Sequence, residues 1–211
     1  MRETGPTILN PEEIESASFR IIDSEVKPHP FDEQQWPVVR RIIHTTADFE
    51  LVERTRFSPE VIGKALAALR GGAKILCDTN MVLSGVNKTR LAKLGGSAFC
   101  HVADPQVAVE AREAGLTRST FALRKGVAEG CTIFLIGNAP TALFELLRLV
   151  EAGDVQPDLI VGVPVGFVGA VESKDALLAT DLPWITITGR KGGSAIAAAV
   201  LNALMIMAEE G

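Results

Sequence analysis

The chain is short of the features that mark several large protein classes. It has no basic excess: 21 lysines and arginines stand against 26 aspartates and glutamates, for a formal net charge of -5 and a pI near 5.3. Binding to a phosphate backbone usually leaves a basic excess or stripe, so this balance argues against a nucleic-acid protein and makes any anion site local. Cysteines are few. Cys77, Cys100 and Cys131 are odd in number, widely spaced and each set in an apolar strand-like run, which points to reduced, buried thiols in a cytoplasmic protein. Without a C-x-x-C pair or a Cys/His cluster, a metal site is not expected. The N-terminal MRETGPTILN lacks a basic patch followed by an apolar stretch, so no export is expected. The longest apolar stretch, SAIAAAVLNALMIMA, falls short of the about 20 residues of a membrane span and contains Asn202; it is expected as a buried or interface helix. Neither G-x-G-x-x-G nor G-x-x-x-x-G-K-[ST] occurs, so a dinucleotide or P-loop nucleotide site has no direct support.

What is present is a well-punctuated α/β pattern. At 211 residues and 47% apolar composition the chain can bury a full core, and with no repeat or long linker it is expected as one domain. Asn10-Pro11, Asp32, Ser58-Pro59 and Asp104-Pro105 carry helix-opening signals, and Gly71-Gly72 and Gly115 carry helix-ending ones. Between them lie AKILC, SAFCHV, CTIFLIG, DLIVGVPV and WITITG, five apolar runs of strand length alternating with helices. The pattern predicts a three-layer α/β/α fold around a mostly parallel five-stranded sheet, with residues 1–56 as an N-terminal helical extension and 57–211 as a doubly wound sheet. Met81, Met205 and Met207 are expected in the core.

In open α/β sheets the ligand crevice lies beyond the carboxyl ends of the strands. Four strand ends here carry glycine or small polar residues, and the sharpest is the GRKGGS turn before the last apolar helix. There Gly192, Gly193 and Ser194 could aim backbone amides at an anion, while Arg190 and Lys191 add full positive charges. The competing explanation is that the glycines only allow a tight strand-to-helix turn.

A second cluster lies in RRIIHTTAD. On a helix, Arg40 and Arg41 fall four and three positions before His44 and Asp48 four positions after it, so the charges can share its face while Trp36, Val39 and Ile43 form the apolar stripe behind. Two adjacent cations disfavour imidazolium, which makes more sense if an anion is meant to arrive; Asp48 would pull the other way and leave His44 titrating as an acid or base. The ordinary alternative is a lone, satisfied histidine. His29, in a proline-rich turn, and His101, at a strand end, are expected to be structural. Arg118 lies at a helix start, where Ser119 would cap, and an arginine there could reach an anionic ligand.

The segments ESASFRII, VVRRIIHTTADFE, LCDTNMVLSGV, IGNAPTALFELL, GVPVGFVGAVESKDAL and GRKGGSAIAAAVLNAL resemble, in order and spacing, the precorrin-8X methylmutases of cobalamin biosynthesis, from about residue 10 to residue 205. The resemblance implies an isomerase that moves the methyl group on C-11 of a tetrapyrrole to C-12, giving hydrogenobyrinate or its cobalt counterpart. It implies an α/β/α homodimer that needs no separate cofactor. The family's histidine, which protonates the ring nitrogen beside the migrating methyl, falls on His44, and substrate-contacting positions fall on Ser18 and Arg41. Because the substrate is rimmed by acetate and propionate groups, Arg40, Arg118, Lys174, Arg190 and Lys191 become candidate carboxylate partners beside Arg41. Two other classes compete: a non-catalytic tetrapyrrole carrier, against which His44 speaks, and a nucleotide-dependent oxidoreductase, against which the missing glycine fingerprint speaks.

Overall fold

The computed structural model describes residues 10–210, so residues 1–9, on which the expectation of no export rests, and Gly211 lie outside it. Asn10 opens α1 (Pro11–Glu25): its side-chain oxygen accepts from Glu12 N at 3.0 Å, with Pro11 at the first helical position. Asp32 does the same for α2 (Gln35–Thr46), accepting from Gln34 N and Gln35 N at 2.9 and 2.8 Å. A single turn, α3 (Leu51–Arg54), leads into β1 (Thr55–Phe57), and α4 (Val61–Arg70) stops at Gly71-Gly72, where Gly72 takes a left-handed φ of 75°. There follow β2 (Lys74–Cys77), α5 (Asn80–Gly85), α6 (Lys88–Lys93), β3 (Ser97–Phe99), α7 (Pro105–Glu113) and α8 (Arg118–Ala128). The chain ends with β4 (Ile133–Ile136), α9 (Pro140–Glu151), β5 (Leu159–Gly162), α10 (Ala170–Leu178), β6 (Trp184–Ile187) and α11 (Ser194–Glu210).

All five anticipated strands form, but the sheet has six strands and is mixed, in the order β1-β6-β5-β4-β2-β3. The added strand, β1, pairs antiparallel with β6 at the edge while the other pairs are parallel. Its sequence, TRF, is too short and too polar to stand out. The boundary expected at residues 56/57 therefore falls inside a strand. Ser58, expected to cap a helix, instead accepts from Trp184 N at 2.8 Å and pins β1 to the start of β6; α4 begins after Glu60, at φ 58°.

Successive strand residues enter opposite layers, as the two-residue period of a strand requires. Ile75, Cys77, Ile133, Leu135, Leu159, Val161, Ile185 and Ile187 pack with α4, α11 and the inner face of α2. Leu76, Phe134, Ile136, Ile160 and Trp184 pack with α8, α9 and α10 on the other side. Outside the first layer, α1 lies on α2 through Ile22, Val26, Val39 and Ile43. The apolar C-terminal stretch is α11, buried along most of its length, and no described helix is long and apolar enough to cross a membrane. Cys77 and Cys131 are buried and Cys100 only partly so. Met205 is buried, but Met81, on α5, is 72% exposed and not core: it sits on the outer face of a six-residue helix whose buried residue is Val82.

Strand order reverses between β2 and β4, the place where such sheets usually open to a ligand. Here that crevice is filled. The Asp78 carboxylate, at the end of β2, accepts from Gly137 N, Asn138 N and Ala139 N at 3.2, 2.7 and 2.8 Å, tying the two strand ends together. Burial raises its pKa against the pull of those N–H donors. Thr79 caps α5 and lies 3.2 Å from the Ser194 hydroxyl, which joins the same junction to α11.

A candidate active-site groove

With the switch point closed, His44 opens instead onto a groove one layer further out. The groove, of about 630 Å³, runs along α11 between α1 and the end of α2 on one side and the α5–α6 connection on the other. Its floor is made of Ala195, Ala198 and Ala199, small side chains that let the walls approach. Gly85 is required here, since a Cβ on it would lie 2.7 Å from that of Ala198. Asn202 fastens the wall: its side chain accepts from Asn87 N at 3.0 Å and donates to Gly85 O at 2.9 Å. One polar residue in the middle of the apolar stretch of α11 thus fastens the wall of the groove.

His44 faces this space. Val38, Val39, Ile42 and Ile43 bury the inner face of α2, which leaves His44, in the last turn, exposed on the groove side. Its ring meets Phe19 of α1 edge to face, at 5.3 Å and 65°. The same Phe19 ring carries the guanidinium of Arg41 at 4.8 Å and that of Arg40 at 4.3 Å. Phe19 is therefore the hub that orders the cluster.

The charges around it are not arranged as the helical spacing suggested. Arg41 does line the groove, but it is paired with Glu15 of α1 at 2.5 Å. Arg40 turns away and pairs with Asp23 at 3.0 Å, beside the Trp36 indole, which donates to the same carboxylate; it belongs to the α1–α2 contact and not to the groove. Asp48 does not share His44's face either, because the helix ends first, with Ala47 in the left-handed region at φ 53°. Its carboxylate receives a hydrogen bond from Lys191 at 2.6 Å and is held below the usual carboxylate range by it. Ser18 is half-buried beside Phe19, its hydroxyl donating to Ile14 O at 2.8 Å.

The GRKGGS turn follows the plainer of its two expectations. A Cβ on Gly192 would lie 2.2 Å from Val163 O, so close packing on the β5 loop accounts for that glycine, while Gly193, whose N–H donates to the same carbonyl at 2.9 Å, takes a φ of 134° that disfavours a side chain. Lys191 is bound to Asp48 and Glu50. Lys174 is fully buried and donates to Lys191 O at 2.8 Å, bracing the turn from below; burial pushes its ammonium down to about 8. Ser194 is buried against Thr79. Arg190 is exposed and lies over the Phe167 ring at 5.4 Å. Arg118 is exposed at the start of α8, in the opposite helical layer, and the cap there is Thr117, not Ser119. Of the charged candidates only Arg41 joins His44. Glu15 and Arg90, both on the groove wall, were missed, because each sits in an ordinary solvated helical run.

The whole sequence and fold can be placed against known proteins. Residues 13–207 match the family model for precorrin-8X methylmutase. The chain belongs to the precorrin-8X methylmutase family. It is 44% identical to the cobalt-precorrin-8 methylmutase of Priestia megaterium over 210 residues, covering 99% of this chain and 93% of the relative. The precorrin-8X methylmutase of a Sinorhizobium species is 43% identical over 190 residues, with 89% and 90% covered. The crystal structure of the Thermus thermophilus precorrin-8X methylmutase superposes with a TM-score of 0.88 at 42% identity, over 95% of this chain and 97% of that one. The protein is thus a methylmutase-family isomerase of cobalamin biosynthesis, with an α/β fold closely similar to that of a solved methylmutase.

Proposed function

We propose that the protein moves the methyl group on C-11 of precorrin-8X, or of its cobalt form, to C-12, with His44 as the proton donor. The observation that carries this is the His44 ring, open to a groove whose wall also holds Arg41. Protonation of the ring nitrogen beside the migrating methyl leaves an electron-poor iminium system. The σ bond from the methyl to C-11 then breaks as the bond to C-12 forms, in a suprafacial 1,5-shift, and the proton returns to His44. Nothing is oxidised, and substrate and product are isomers.

The substrate's rim of carboxylates explains the cation beside an acid. Arg41, paired with Glu15 in the empty groove, can take a carboxylate of the substrate in that place and so hold the edge of the macrocycle beside the His44 ring. A positioned acid contributes roughly 10²–10⁴-fold, so the remainder must come from holding the macrocycle in a reactive shape against the Ala-lined floor.

Relatives bearing the metal-free and the cobalt substrate names overlap in their identity to this chain, at 43–46% and 34–44%. Both substrates therefore belong in the test. The absorption spectrum of each, mixed with purified protein, should shift over minutes to that of the corresponding corrin acid with at least one of them. Binding of both without conversion would instead identify a tetrapyrrole carrier.

The working unit is a homodimer in this proposal. Phe167 and Val168, 82% and 89% exposed on the loop after β5, are the kind of large apolar side chains that a second copy would cover. The free thiols Cys77, Cys100 and Cys131 fit a cytoplasmic location. Light scattering on a sizing column should give about twice the 22.5 kDa chain mass.

A further inference from the structure

The groove holds a second arginine. Arg90, on α6, lines the wall near Asn87 and Asn202, and its guanidinium pairs with Glu209 near the end of α11 at 2.6 Å. The arrangement repeats that of Arg41 with Glu15. In both pairs the arginine and its glutamate come from different helices, both partners are partly exposed, and the arginine lines the cavity. The Arg90 and Glu209 side chains are 29% and 27% exposed, and those of Arg41 and Glu15 19% and 44%. Ion pairs of this exposure are weakly held, so either glutamate can leave at little cost when another carboxylate offers the same geometry. A guanidinium, which presents a planar fork of donors, accepts an incoming carboxylate in the place of the outgoing one.

We propose that Arg90 is a second carboxylate-binding residue of this groove, and that Glu209 and Glu15 hold Arg90 and Arg41 in reserve until carboxylates of the bound tetrapyrrole displace them. This rests on the proposed function, since it takes the groove as the tetrapyrrole site. Each glutamate neutralises its arginine in the empty groove, so neither cation stands uncompensated against the apolar floor. On binding, the substrate supplies two anions and the protein releases two, leaving the charge on the cations unchanged. Recognition then requires ionised carboxylates at two separate points on the macrocycle, because an amide cannot replace a glutamate on a guanidinium with the same strength.

The test is an equilibrium titration with hydrogenobyrinate, the corrin acid product, which reports binding without turnover. Wild type, Arg90→Gln, Glu209→Gln and the double variant are compared by absorbance, at low and high salt, after circular dichroism shows that each is folded. Arg90→Gln should raise Kd about 10-fold or more, as expected for loss of a charged hydrogen-bonded pair, and should flatten the salt dependence. Glu209→Gln should tighten binding roughly 2- to 5-fold, since the competing surface ion pair is gone. In the Arg90→Gln background that gain should vanish. An Arg90→Gln variant that binds like the wild type, or a Glu209→Gln gain that survives without Arg90, overturns the proposal while leaving the function intact. Where hydrogenobyrinate does not bind, the titration is repeated with its cobalt counterpart, and failure of the wild type to bind either removes the tetrapyrrole site itself, and with it both proposals.

Discussion

The Lys191 ammonium lies 2.6 Å from an Asp48 carboxylate oxygen and 3.0 Å from Glu50, joining the turn before α11 to the loop that follows the histidine helix. His44 sits in the last turn of that helix, only two residues before its C-terminal end at Thr46. The pair therefore anchors the end of α2 against the sheet, at the point where a helix would otherwise fray.

Replacing Lys191 by Met keeps the aliphatic stem and removes the anchor. Turnover should fall, by roughly 3- to 10-fold, far less than loss of the acid itself, because the histidine is displaced and not deleted. Asp48 is held below its usual 3.8, first by the hydrogen bond from Lys191. A depressed carboxyl contributes above its unfolded pKa and is lost as pH falls through the folded one. The effect of Lys191→Met should thus be the same at pH 6 and pH 8, as a pair of initial-rate series will show.

The glycines of the last turn make a sharper structural prediction. A Cβ at position 192 would meet Val163 O at 2.2 Å and Pro164 O at 2.9 Å, and both are backbone atoms that cannot swing aside. Gly192→Ala should cost on the order of 3 kcal/mol and lower the unfolding midpoint clearly. Gly63, exposed within α4 and with nothing beyond its own stretch of helix backbone within 4 Å of where an alanine methyl would stand, is the control: Gly63→Ala should stabilise by about 0.5–1 kcal/mol. Thermal unfolding of the two variants tests the contrast.

These cases show which features the sequence exposes. Asn10-Pro11 and Asp104-Pro105 act through amides two residues away, so their signals are local and the helices start where expected. Strands with both faces buried, such as Ile133–Ile136, need unbroken apolar runs, and those too are visible. The β1 strand is defined by its partner, β6, more than by its own three residues. The charges around His44 escaped for the same reason. Helical spacing puts Arg40 and Asp48 on its face, but Arg40 is claimed by Asp23 and Asp48 by Lys191, 143 positions away. Arg90 faces Glu209 across 119 residues, and nothing in NKTRLAK announces that. Histidine itself stood out because it is rare and because the resemblance covered its neighbours.

Lys174 offers a test of burial through pH. Its ammonium is fully buried with a single carbonyl partner, and burial lowers its pKa from 10.5 to about 8. Between those values the unfolded chain binds the proton that the folded chain has released, so stability should rise with pH across the window. The full shift corresponds to about 3 kcal/mol as an upper bound, at roughly 1.4 kcal/mol per unit. Urea unfolding of wild type and Lys174→Met at pH 7.5, 8.5 and 9.5 should show that rising component in the wild type alone.

The role of His44 as the proton donor for methyl migration is tested most directly by single-turnover absorption spectra of precorrin-8X, in its metal-free or cobalt form, with wild type and His44→Gln. The variant should bind the tetrapyrrole within a few-fold of the wild type and convert it at least about 10²-fold more slowly. Conversion by His44→Gln at the wild-type rate would contradict that role, and the proton would have to come from another group on the groove wall.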